Sequence, residues 1–211
     1  MRVLAIACAA LLAMPAWAEG EQAGDFDYYV LSLSWAPGWC ATEGAGRDAA
    51  QCDPANDAHF VLHGLWPQYE SGWPSYCRTT ARNPSRAQTA AMEDIMGSDG
   101  AAWYQWKKHG RCAGLSATDY FAQARAAYES VTVPWVFQQL TKDVRLPAKV
   151  VEEAFLEANP NLRPDMVTVT CDQGRIDEVR ICLNKDLTPR ACGTDVTRDC
   201  RMTDALMERV R

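Results

Sequence analysis

The chain has 211 residues, enough for one domain with a substantial core and too few for several domains of ordinary size. A formal net charge of −6 excludes a broad basic face that holds a polyanion by counterion release, so any contact with nucleic acid has to be local and transient. Nine cysteines with no Cys-x-x-Cys pair and irregular spacing argue for disulfides in an oxidising compartment and against a zinc site.

In chain order, Met1-Arg2 precedes an apolar run over residues 3–14, followed by the small-x-small site Ala16-Trp17-Ala18. Residues 1–18 read as a secretory signal, because the apolar run is shorter than the roughly 18 to 20 residues that a membrane-spanning helix needs. Export to the periplasm or the medium is expected, with no membrane partner. Removing the signal takes Cys8 and leaves Cys40, Cys52, Cys77, Cys112, Cys171, Cys182, Cys192 and Cys200. An even number predicts four disulfides; spacing alone does not give their connectivity. Residues 19–211 carry no repeat, low-complexity tract or linker and read as a single domain.

Residues 26–35 place Tyr29, Leu31 and Leu33 on one side and Val30, Ser32 and Ser34 on the other, the alternation of a strand, which Pro37-Gly38 ends. Residues 59–62 form a short apolar run read as a second, central strand whose end presents His63. Helical patterns follow at 85–96, 101–109 and 116–130, the last opened by Ser116-x-x-Asp119, which resembles a capping box. Another helix at 146–158 stops at Asn159-Pro160. Residues 166–171 and 177–183 alternate around Asp172-Gln173-Gly174 and predict a hairpin. The mixed order implies an α+β fold, a largely antiparallel central sheet flanked by helices. Basic residues over 175–201 alternate with acidic ones and read as solvated surface.

Two segments concentrate the chemistry: His63-Gly64-Leu65-Trp66-Pro67 and Trp106-Lys107-Lys108-His109-Gly110, which hold two of the three histidines. Histidine can take and give protons near neutrality, so two of them suffice for acid–base work without a metal. On a helix over 101–109, Gln105, Lys108 and His109 share one face, expected to be wet and reactive, while Trp103 and Trp106 share another, expected to be buried. Gly110 ends that helix and Cys112 can anchor its end covalently. One imidazole can deprotonate an attacking hydroxyl and the other can protonate the leaving oxygen. An ammonium and an amide N–H can then stabilise the charged intermediate, the equipment for splitting a phosphodiester beside a ribose 2′-hydroxyl. The bland alternative, each histidine capping or packing locally, fits a lone histidine better than two with an adjacent lysine. His59, roughly 13 Å from His63 along a strand, reads as structural or surface.

These segments resemble the two active-site segments of the ribonuclease T2 family of secreted acid endoribonucleases. The first, Phe60-Val61-Leu62-His63-Gly64-Leu65-Trp66-Pro67, matches in full; the second matches at Trp106, Lys108, His109, Gly110 and Cys112. Leu33-Ser34-Trp35-Ala36-Pro37 and the cysteine order extend the likeness over nearly the whole exported chain. The resemblance implies cleavage of single-stranded RNA, and not of DNA, by a monomer without cofactor. The route passes through a 2′,3′-cyclic phosphate that is hydrolysed to a 3′-phosphate. It implies His109 as base, His63 as acid, Lys108 holding the phosphorane charge, and Trp66 stacking a base, with Gln68 as a polar contact to that base. It also implies the pairs Cys40–Cys52, Cys77–Cys112, Cys171–Cys200 and Cys182–Cys192. The chain departs from the family where Tyr104-Gln105-Trp106 replaces His-Glu-Trp, leaving Gln105 as a neutral donor and Tyr104 beside the substrate, and where Ser34 replaces a glutamine. The competing function is a binding protein that keeps this fold without activity; His63, Lys108 and His109 are the residues it would be expected to have lost.

Overall fold

The computed structural model describes residues 21–44, 46–47 and 49–210. The expected signal segment and Cys8 lie outside them. Strand β1 (Tyr28–Trp35) runs directly into helix α1 (Ala36–Ala41), which tolerates Pro37 because the first turn of a helix needs no N–H there. Strand β2 (Phe60–Gln68) follows, longer at its C-terminal end than the apolar run predicts. The expected helix over 85–96 is two: α2 (Arg86–Ala90), opened by a Ser85–Gln88 capping box, and α3 (Glu93–Met96). The break has a tertiary cause, since the Ala91 carbonyl accepts from Arg125 Nη2 at 2.7 Å instead of from the helical N–H four residues on. Then come α4 (Asp99–Lys108), α5 (Ala117–Glu129), α6 (Trp135–Gln138), β3 (Val144–Leu146), α7 (Ala148–Ala158), β4 (Val167–Asp172), β5 (Arg175–Leu183) and β6 (Ala205–Met207). Ser98 and Ser116 cap α4 and α5, each accepting a backbone N–H on its hydroxyl.

The six strands form one sheet in the order β2-β1-β5-β6-β3, with β4 paired to β5 beside that path. All pairs are antiparallel except a single parallel contact between β5 and β6. Strand β2 is therefore an edge strand, not the expected central one; β1 lies between β2 and β5, and β5, which pairs with β1, β4 and β6, is the central strand. Gln173 and Gly174, at φ 45° and 81°, make the β4–β5 hairpin with both turn residues in the left-handed region, as the twist of the flanking strands favours.

Alternation along β1 divides the sheet into two chemically different faces. Tyr29, Leu31, Leu33 and Trp35 pack with Phe60, Leu62, Leu65, Val179 and Ile181 under Tyr120 and Phe121 of α5 and Phe155 of α7, the main core. Tyr28, Val30, Ser32 and Ser34 face the other way. There Val30 packs with Tyr28, Cys182 and Val196 in a smaller cluster, and Trp66 lies against it. This second face is the floor of a cleft of about 1430 Å³.

Four disulfides pin the loops, joining Cys40 to Cys52, Cys77 to Cys112, Cys171 to Cys200 and Cys182 to Cys192. The second matters for the cleft. It ties the 3-10 turn at Gly110–Ala113, directly after α4, to the loop that follows β2.

Candidate active site

The site begins with a β-bulge. Ser32 pairs with Gly64 and Leu33 with Leu62, so His63 is one residue too many for its partner strand. A regular strand puts residues three apart on opposite faces; the extra residue restores His63 and Trp66 to the same one, while Leu62 and Leu65 both reach the core. Gly64 follows the bulge because nothing larger fits: a Cβ there would lie 2.4 Å from Trp66 Nε1 and 2.5 Å from Gln105 Oε1.

Across the sheet, Ser34 pairs with Glu178 and Ser32 with Arg180. Strands β2 and β5 are two spacings apart, about 10 Å. The small serines leave that gap open on the cleft face, and the long side chains of β5 cross it. Glu178 accepts from His63 Nδ1 on one carboxylate oxygen, and from Arg180 Nε at 2.8 Å and Nη2 at 2.6 Å on the other. Arg180 also lies over the Trp66 indole, 5.4 Å from its centroid. Burial alone would push the Glu178 carboxyl up, but the bond and charge of His63 and the Arg180 guanidinium outweigh it and hold it at about 2. His63 itself is exposed to the cleft.

His109 sits at the opposite wall, as the residue that ends α4, its N–H donated to the Gln105 carbonyl at 2.9 Å. It is buried, and its ring stacks on Trp66 with centroids 5.2 Å apart, while His63 meets the same indole edge-on at 5.1 Å. Burial, reinforced by the charges of Lys108 and His63, pushes the His109 pKa down to about 3. The two imidazoles thus share one tryptophan and differ in surroundings, one beside a buried carboxylate, the other desolvated among cations.

Trp66 donates its Nε1–H to Gln105 Oε1 at 2.8 Å. An indole nitrogen can only donate, so this bond identifies the Gln105 oxygen and leaves the NH₂ as the group able to donate elsewhere. Lys108 and Tyr104 line the cleft, the lysine Nζ 5.9 Å from the Tyr104 ring centroid. Gln68, the last residue of β2, is buried and lines it too. The structure therefore gathers His63, Trp66, Gln68, Tyr104, Gln105, Lys108 and His109 around one cleft. His59 stands apart, its Nδ1 accepting from the Phe60 N–H at 2.8 Å.

Two expectations change. The face of α4 that carries Gln105 and His109 is not wet, with 3% and 6% exposure, while Trp103 is 41% exposed and only Trp106 is buried. The cause is the position of the last turn of α4, which lies against β2 on one side and is held by the Cys77–Cys112 bond behind it, so two of its faces meet protein. Arg180, in the segment expected to be solvated surface, belongs to the cleft and to the Glu178 ion pair. Glu178 and Arg180 were legible as alternating residues of β5, but not as site residues, since only the strand register brings them opposite Ser34 and Ser32.

Comparison with protein families matches residues 26–192 to the Ribonuclease T2 family. The chain is 46% identical over 103 residues to a ribonuclease of Aeromonas hydrophila, covering 49% of this chain and 45% of that one. It is 32% identical over 152 residues to a probable ribonuclease of Haemophilus influenzae, covering 64% of this chain and 55% of that one. The matches thus span about half the length of these relatives. Among solved structures, an RNase-related protein from Calystegia sepium superposes with a TM-score of 0.70 at 18% identity, over 88% of this chain and 98% of the other. The family match covers both histidine segments and most of the sheet that presents them, and on that ground the chain belongs to the ribonuclease T2 family.

Proposed function

We propose that the chain is an exported endoribonuclease that cleaves single-stranded RNA by metal-independent transphosphorylation. One observation carries the reading: two histidines of opposite electrostatic setting face one cleft. Unlike surroundings for two titratable groups let a site assign an acid and a base. His109, pushed down to about 3, is neutral at any moderately acidic or neutral pH and serves as the base. His63, bonded through Nδ1 to the Glu178 carboxylate, serves as the acid.

In the first step His109 takes the proton of the 2′-hydroxyl, whose oxygen attacks phosphorus. The bond from phosphorus to the 5′-oxygen breaks as His63 protonates that oxygen, and a 2′,3′-cyclic phosphate is left. In the second step water replaces the leaving alcohol with the histidine roles exchanged, and opening of the bond to the 2′-oxygen gives a 3′-phosphate. Lys108 and the Gln105 NH₂ stabilise the extra negative charge of the phosphorane. Tyr104 and Gln68 contact the nucleotide, with Trp66 at the base. The Trp66 ring already meets His109 and Arg180, so base stacking there uses the area these neighbours leave. The disulfides suit an oxidising compartment, the periplasm or the medium.

The test is incubation with RNA and with DNA in excess chelator, alongside His63→Ala and His109→Ala. RNA alone should be cut, and each variant should lose about a hundredfold to ten-thousandfold in rate, the usual worth of general acid–base catalysis. Intact RNA with the wild-type protein would favour a binding protein of the same fold, and activity of His63→Ala within a few-fold of wild type would remove His63 from the mechanism.

A further inference from the structure

We infer that Glu178, held by Arg180, is the positioning residue of His63: its carboxylate reaches across the serines of β1 and fixes the ring with Nδ1 protonated and Nε2 turned to the cleft. For the reaction the inference rests on the ribonuclease reading; the state of the ring can be read without it.

The geometry leaves Glu178 little else to do. It is buried, at 4% exposure, and both its oxygens are taken, one by His63 and one by the Arg180 guanidinium. A carboxylate so occupied is a poor base toward a substrate. As an acceptor it can hold an imidazole in one tautomer and one orientation, and its charge favours the imidazolium. His63 first, and Arg180 with it, keep the carboxylate ionised in a site where burial alone would neutralise it. Through its contact with Trp66, Arg180 also joins the His63 wall to the indole that stacks on His109. His63 needs such a brace. As the unpaired residue of a bulge it lacks a partner residue opposite it on β1.

The arrangement bears on Gln105, the position of α4 where the family resemblance implies a glutamate and this chain has an amide. Here a carboxylate arrives from β5 instead, and it serves the other histidine. The other titratable and charged groups lining the cleft among the described residues are Arg180 and Asp177 of β5, Asp172 of β4, Glu93 of α3, Asp99, Tyr104, Lys108 and His109 along and at the end of α4, Glu43 and Arg47 beyond α1, and Asp195 between β5 and β6. Of these, Asp177 is the nearest control, since its carboxylate is bonded to Thr170 at 3.3 Å and not to His63.

The experiment labels the three histidines of the full chain with ¹⁵N and records long-range proton–nitrogen correlations against pH, with His63 assigned from the signal lost in His63→Ala. Neutral His63 should be the Nδ1–H tautomer in the wild type. In Glu178→Gln the Nε2–H form should gain and the titration should move to lower pH. With RNA, the same variant should lose about tenfold or more in kcat with KM within a few-fold, and the alkaline limb of its pH–rate profile should move down by about one unit, the low end of the effect of a neighbouring opposite charge. Asp177→Asn should leave that limb in place. The inference is overturned by an Nε2–H tautomer in the wild type, by Glu178→Gln with tautomer and limb unchanged, or by Asp177→Asn moving the limb as far. If Glu178→Gln does not fold, the wild-type tautomer decides. If the wild type cuts no RNA, the ribonuclease reading fails while the tautomer still judges Glu178.

Discussion

His109 and Glu178 are each held away from their ordinary pKa, and both shifts tie stability to pH in the same direction. An unfolded histidine takes its proton near 6.5, whereas folded His109 resists to about 3, so acidification between these values favours the unfolded chain. Glu178 falls from 4.5 to about 2 on folding, so the stability it contributes is complete above 4.5 and is lost as pH drops toward 2. Calorimetric melting temperatures should therefore decline steadily from pH 6.5 downward, and His109→Gln should flatten the upper part of that decline; an unchanged slope in the variant would assign it to other groups. Gln105 offers a separate test. If its NH₂ donates only to the phosphorane, Gln105→Glu, which keeps an acceptor for Trp66 and loses the donor once ionised, should at neutral pH lower kcat and kcat/KM alike, by about ten- to a hundredfold for a bond to charge worth about 1.5 to 3 kcal/mol, with KM unmoved. A rise in KM alone would make it a binding residue. Sequence sufficed to single out both histidines, Lys108 and Gln105, because their motifs are local. It could not give the burial of His109, which depends on β2 lying against the last turn of α4.

Along β2, one glycine and one bulge decide whether the site assembles. Gly64→Ala forces a methyl group against the bond between Trp66 and Gln105, and overpacking of this kind costs about 1 to 3 kcal/mol. Gly72→Ala supplies the contrast, since its Cβ meets nothing within 4 Å and only its φ of 80° resists the change. The first should lose both melting temperature and kcat/KM, the second only a little melting temperature; equal activity losses would mean that the crowding at Gly64 is irrelevant. Periodicity found β1, the hairpin and the helices at 101–109, 116–130 and 146–158. It missed the length of β2 because the bulge interrupts the alternation at His63, and it missed the break between α2 and α3 because the cause, Arg125, lies in α5.

For the molecule entire, charge and cross-links set the working conditions. Among the described residues three lysine and arginine side chains line the cleft, Arg47, Lys108 and Arg180, beside more numerous carboxylates that include Glu43, Asp172 and Asp177. With about 0.7 counterion released per phosphate on a single strand, the logarithm of RNA affinity should fall with the logarithm of salt at a slope no steeper than about −2. A slope much steeper would require a basic track outside the cleft. The Cys77–Cys112 bond closes a separation of 35 residues, for which chain entropy suggests about 4 kcal/mol. Replacing both by serine should lower the melting temperature and, because the bond backs the turn after His109, reduce kcat more than loss of Cys40–Cys52 does. Equal effects on kcat would show that the site does not depend on that anchor.

The unpaired residue at His63 also bears on how this gene can change. Most strand positions tolerate swaps of identity better than changes of number, and here the sign of the change in number matters. Inserting a single codon after Gly64 would swap the orientations of all that follows, sending Trp66 into the interior and Leu65 into the cleft, whereas deleting Gly64 only removes the extra residue and leaves both opposite their present partners on β1. Insertions in this stretch should therefore be purged even where point substitutions survive. A deep mutational library that includes single-codon insertions and deletions should show the insertion after Gly64 tolerated less than the deletion of Gly64.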